Sequence, residues 1–238
     1  MHPDLVKLLD LQEKDRVLLD VDMRLQAALD AVAALDRELQ QAEQAVMTAR
    51  KAAAEGVARR DQLEQKIESY RMLQERQRSR LEHVRQARQA TALMAELDLA
   101  RTVLAKEESD WFRLSDQVTG LETRVKEAEQ RAEELASAQV ERRQELAARI
   151  AQLSAERETA LAAREASAAA LEKPLRVRYD RLHRGRGGQP VVVPLDGGAC
   201  GACFTAIPLS RRSQIRTGLL LDGCEVCGVI LYSSDAVD

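Results

Sequence analysis

The chain has 238 residues, 32% of them charged and 3% aromatic, with a net charge of −3. A composition this rich in Ala, Leu, Glu, Arg and Gln belongs to long helices or coiled coil and argues against one compact core. The near-neutral charge gives no general affinity for nucleic acid or an anionic membrane, and no apolar run reaches the ~20 residues that cross a bilayer.

The first residues, MHPDLVKLLDLQEKD, lack the basic lead, apolar centre and small-residue cleavage site of a secretion signal, so a cytoplasmic location is expected. Up to residue 170 the only proline is Pro3 and the only glycines are Gly56 and Gly120. From Leu18 onward, apolar and small residues recur at alternating steps of three and four. Leu18, Leu25, Val32, Leu39 and Val46 interleave with Val21, Ala28, Leu35, Ala42 and Ala49, and the repeat continues to Leu81 and Val84. This is the a/d seam of a coiled coil. A second run carries Leu97, Leu104, Trp111, Val118 and Val125 with Ala100, Leu114, Leu121 and Leu135, then loosens through Leu146, Leu153 and Leu161.

Two architectures fit such a repeat: a parallel dimer of one very long helix, or a helix folded back on itself. Pro3 and Pro174, and likewise Gly56 and Gly120, are equidistant from about residue 88, and the two heptad runs flank that point. The symmetry favours a hairpin over residues 1–173, with its turn near 84–91 and the two glycines close to one level. Self-association of the helices is the alternative the periodicity leaves open.

At Pro174 the helical pattern stops. Residues 174–194 form an Arg/Gly-rich neck with Arg176, Arg178, Arg181, Arg184 and Arg186, a glycine cluster, and the β-branched run Val191 to Val193, which reads as a first strand. A last helical stretch is expected near Tyr179 to His183.

Residues 195–238 hold all four cysteines: Cys200 and Cys203, then twenty residues, then Cys224 and Cys227. Two C-x2-C knuckles at this spacing are a four-thiolate metal site, with Gly201 and Gly228 suited to the tight turns. Four protein ligands leave no open coordination position, so one structural Zn²⁺ is the expected cofactor. A module of this size has too little core to fold alone, and a metal supplies what is missing. Leu219 to Leu221 and Val229 to Tyr232 are expected to join the Val run in a small antiparallel sheet, a zinc ribbon. A redox C-x-x-C and an iron site are the competing readings; the βαβ setting of the former is absent.

The stretch from Tyr179 to Tyr232, with its Tyr–Arg–Gly-Gly neck, valine strand and terminal Cys-x-x-Cys-Gly-x-Ile-Leu-Tyr, resembles the bacterial C4-type zinc ribbon proteins that carry an N-terminal coiled-coil hairpin. Val229 stands where that family usually carries arginine. The resemblance implies a mostly α fold, a long antiparallel coiled-coil hairpin followed by a small β zinc ribbon. It also implies protein partners of the sigma-factor or secretion-system kind, linked to transcription or to secretion and flagellar regulation, and RNA.

No constellation for acid–base or nucleophilic work surrounds His2, His83 or His183, and GRGGQP lacks the Lys-Ser/Thr of a P-loop, so no enzyme is expected. Two arginine clusters remain. One, from Arg71 to Arg88, surrounds the expected turn. The other is the neck, together with Arg211, Arg212 and Arg216 in the loop between the knuckles. Arginine holds carboxylates and phosphates bidentately. The sequence therefore describes a non-enzymatic adaptor for protein partners, with nucleic-acid binding through neck and ribbon as the alternative.

Overall fold

The computed structural model describes residues 3–217, 221 and 223–233. Two long helices, α1 (Pro3–His83) and α2 (Ala87–Ala169), pack as a hairpin, followed by a short helix and a three-stranded sheet region. The chain divides into two compact units, Ala33–Arg142 and Met1–Val32 with Arg143–Asp238.

In the unit Ala33–Arg142 the heptad positions are the ones turned inward. Ala53, Ile67, Leu97 and Val118 are its buried apolar side chains, and the flanking seam residues are half-buried. Between the helices, Arg71 meets Glu108 at 2.7 Å, Arg50 meets Glu129 at 2.6 Å and Gln139 meets Glu38 at 3.1 Å. All three pairs are centred near residue 89, as a single antiparallel register requires. The turn itself is residues 84–86 and contains neither glycine nor proline. Of the two glycines, only Gly56 makes a close approach: a Cβ there would lie 3.1 Å from Leu121 Cδ1 and 3.3 Å from Val118 Cγ2, while Gly120 faces open space. The two glycines thus lie near one level, as expected, but only Gly56 is at the close approach.

In the other unit, α2 ends at Ala169 and a new helix, α3 (Lys173–Gly185), begins with Pro174 in its first turn. Proline is suited to that position because its missing N–H would have no partner there. The proline thus opens a helix, and α3 is longer than the Tyr179–His183 stretch expected. β1 (Val192–Asp196) and β2 (Ala199–Cys200) form a hairpin through Gly197-Gly198, both at positive φ, the two-residue turn that matches strand twist.

β3 (Ile230–Tyr232) pairs with β1 in parallel, Val192 opposite Ile230 and Val193 opposite Leu231, so the sheet order is β2-β1-β3. This corrects the expected antiparallel sheet. The physical reason is the connection: a parallel return needs a long crossover, typically with a helix, and α4 (Leu209–Arg216) supplies it. The Leu219–Leu220 part of the expected strand lies outside the described residues. Alternate strand residues face two cores. Val192 and Ile230 join Leu5, Leu8, Leu11, Ala168, Leu171 and Tyr179 at the hairpin base. Val193 and Leu231 join Cys200, Ile207, Ile215, Cys224 and Val229 inside the ribbon.

A candidate metal centre in a ribbon locked to the hairpin base

Each C-x2-C stretch folds by the same local bonds. In the first knuckle, Phe204 N–H donates to Cys200 O at 2.9 Å and Cys200 N–H to Thr205 O at 2.9 Å. In the second, Gly228 N–H donates to Cys224 O at 2.8 Å and Cys224 N–H to Val229 O at 2.8 Å. The residue after the second cysteine must adopt positive φ in both: Gly228 at 76° and Phe204 at 58°. Glycine takes that conformation freely, whereas an aromatic residue there is a genuine outlier. Gly201 serves close packing instead, since a Cβ on it would lie 2.6 Å from Pro194 O.

The two knuckles bring Cys200 Sγ to 3.7 Å from Cys227 Sγ and Cys203 Sγ to 3.6 Å from Cys224 Sγ, and all four sulfurs lie within 4.8 Å of one another. A tetrahedron with metal–sulfur bonds of about 2.3 Å has edges of about 3.8 Å, so the four sulfurs fit one such ion. They are also well beyond disulfide length. Burial pushes the Cys227 thiol up to about 12 and raises Cys200 likewise, while the Thr205 hydroxyl at 3.4 Å lowers Cys203 to about 6. Close thiols resist carrying charge together unless a cation compensates them. Among the described residues these four are the cluster that could hold a metal ion.

Four of the eight candidate arginines are engaged within the fold. Arg178 donates to Leu221 O at 3.3 Å, Arg211 to Gly223 O at 2.7 Å, and Arg212 to Ile207 O at 2.5 Å. Arg211 also meets Glu225 at 2.5 Å, and Arg176 meets Asp180 at 3.7 Å. Arg211, Arg212 and Arg216 lie on α4, which corrects the loop expected there. Arg186 is half-buried, and only Arg181, Arg184 and Arg216 are fully on the surface. Val229 is fully buried in the ribbon core, so the apolar residue at that position is a packing residue in this chain.

One functional group of residues carries no local sequence signal. Gln12, on α1, accepts the N–H groups of Val191 and Val192 at 2.8 Å and donates to Val192 O at 2.9 Å, reading the backbone of the first strand. One turn further, buried Asp15 accepts from Tyr179 Oη at 2.8 Å and from Arg164 Nε at 2.9 Å, and Arg164 also meets Asp180 at 2.6 Å. Tyr179 in turn stacks on His183, ring centres 6.0 Å apart. Burial and the bond to Asp15 raise the Tyr179 pKa far above its ordinary value. This network ties α1, α2 and α3 together beneath the ribbon.

No protein-family model and no curated protein sequence matches the chain. Solved structures do. CT398 from Chlamydia trachomatis superposes with a TM-score of 0.88 at 19% identity, over 97% of each chain. The HP0958 protein from Helicobacter pylori gives 0.69 at 14% identity, over 97% of each. A protein from Mycobacterium smegmatis gives 0.66 at 24% identity, covering 98% of this chain and 100% of that one. What these matches establish is the fold, and at that level the resemblance read from Tyr179 to Tyr232 holds across the whole chain.

Proposed function

With the hairpin–ribbon fold of CT398 and HP0958 as the premise, we propose that the chain is a non-catalytic cytoplasmic adaptor. It docks protein partners on its hairpin and on a ribbon braced by one structural Zn²⁺. One observation carries the reading. The three most exposed large apolar side chains among the described residues, Leu209 (79%), Phe204 (73%) and Val226 (69%), all belong to the ribbon. Two of them sit in the knuckles, and exposed apolar residues grouped on a small module suit a protein interface. Four thiolates close the coordination shell, which favours a structural over a catalytic metal and zinc over other ions. A cluster of free thiols suits a reducing compartment, and among the described residues no helix is long and apolar enough to cross a membrane. Partners of the sigma-factor or secretion-system kind are what the family resemblance adds.

The second reading, nucleic-acid binding, is favoured by the exposed Arg181, Arg184 and Arg216, which have no acidic partner among the described residues. Affinity purification from the native cytoplasm, with and without nuclease, separates the two. Partners that survive nuclease and are lost with Phe204→Ser plus Val226→Ser support the adaptor. Partners that vanish with nuclease, and with Arg181, Arg184 and Arg216 reversed to Glu, would replace it with the second reading.

A further inference from the structure

The arginines of the hairpin are not all alike. Away from the turn, most arginines of the unit Ala33–Arg142 have an acid to hand: Arg50 with Glu129, Arg59 with Glu55, Arg60 with Asp61, Arg71 with Glu108, Arg101 with Asp98, Arg113 with Asp110 and Arg131 with Glu127. Around the turn this stops. Arg76, Arg78, Arg80, Arg85 and Arg88 are all exposed, and none has an ion pair among the described residues. Between residues 76 and 95 the only acid is Glu82. The first turn of α2 carries no acidic residue.

Five like charges with one acid, Glu82, among them repel one another in the free protein, and a partner that supplies acids relieves this. We infer that the end of the hairpin is a docking surface for an acidic face of a partner protein. The inference rests on the adaptor reading and names the chemistry of one of its two surfaces.

Protein is favoured over nucleic acid by three features. No Phe, Tyr or Trp occurs from Arg71 to Asp110, so the stretch lacks the large aromatic rings on which unpaired bases stack best. Two helices side by side measure about 20 Å across, too broad for a B-DNA major groove of about 12 Å. Exposed Met72, Leu73 and Met94 lie on the same stretch of the two helices, and methionine with arginine is the mixture enriched in protein interfaces. The arginines also point around the helix: Arg76 and Arg80 share a face, and Arg78 is set about 200° from each. Such a ring suits the floor and walls of an acidic cleft.

The test uses the full-length, metal-loaded protein and two fluorescein-labelled probes of equal net charge: an amphipathic helical peptide of Glu and Leu, and a single-stranded RNA. Anisotropy titrations are run at low and at physiological salt. The expected result is peptide binding at least tenfold tighter than RNA binding. Reversing the five arginines to Glu should weaken peptide binding at least tenfold, and changing them to Gln somewhat less. Reversing exposed Arg37 and Arg124 in the shaft should leave it unchanged, with the helical circular dichroism of every variant intact. Peptide binding that survives the five reversals overturns the assignment to the hairpin end while leaving the adaptor reading standing. RNA bound more tightly than peptide, and lost with the same reversals, overturns the choice of a protein partner. The ribbon variants Phe204→Ser and Val226→Ser test the adaptor separately, because they should not affect this titration.

Discussion

The shaft of the hairpin and the ribbon are held together by opposite means. Between Ala33 and Arg142 the buried apolar side chains are Ala53, Ile67, Leu97 and Val118, and the interface is completed by half-buried seam residues and exposed ion pairs. Many small contacts of this kind, each weak, make a structure that loses little when any one is removed. The ribbon is a fraction of that length, yet it buries Val193, Cys200, Ile207, Ile215, Cys224, Val229 and Leu231 around four converging sulfurs. There, on the reading proposed above, one metal held by those sulfurs would carry much of the stability. Distributed against concentrated stabilisation is the difference, and it predicts how each region fails.

The largest effect should follow loss of the metal. Structural zinc contributes on the order of 10 kcal/mol to small domains. Cys224→Ser or a strong chelator should therefore unfold the ribbon, seen as loss of dispersed amide signals from residues 191–231, while the helical signal of the hairpin persists. Second should be Asp15→Ala. It leaves the Tyr179 hydroxyl without its acceptor and Arg164 with Asp180 alone, at a cost of about 1–3 kcal/mol; a denaturant titration that moves by less than about 1 kcal/mol would place the network's weight elsewhere.

The same network has a pH signature. Tyr179 has a raised pKa in the fold, so the folded base retains its proton where an unfolded tyrosine, near 10, loses it. Its contribution is complete below pH ~10 and declines as pH rises beyond that value. Tyr179→Phe should abolish that alkaline component of the melting curve.

Smaller still is a gain. Phe204 holds positive φ where the second knuckle has Gly228. Phe204→Gly should relieve about 1 kcal/mol of backbone strain, and raise the melting temperature of the metal-loaded ribbon even as it removes the exposed ring. A drop instead would mean the ring makes stabilising contacts. Smallest should be Arg50→Ala, which deletes an exposed pair with Glu129 and should cost under about 1 kcal/mol in thermal melts.

How legible each region was follows from the same contrast. The seam repeats every heptad, so Leu18 through Val84 and Leu97 through Leu135 could be read one turn at a time, and the structure turns those positions inward. The cysteine spacing likewise carried the metal cluster. What escaped were features set by partners far away in sequence. Gln12 and Asp15 look like ordinary polar positions of a helix until Val191, Val192 and Tyr179 arrive from more than 160 residues later. Helix α4 has one buried apolar residue, Ile215, too little for a period to show, although Pro208 at its start was a usable signal. The parallel pairing of β1 with β3 depends on that helix as its crossover. The left-handed Phe204 could have been found only by laying CGACF over CEVCG and asking which residue takes the glycine's place.

The central claim is that the ribbon is folded by one metal ion held by Cys200, Cys203, Cys224 and Cys227. Elemental analysis of the purified protein, before and after exhaustive chelation and with amide signals recorded in parallel, tests it most directly. The account predicts one zinc per chain, lost together with the ordered signals of the ribbon and restored with them when zinc is returned. A metal-free protein whose ribbon remains folded would contradict it.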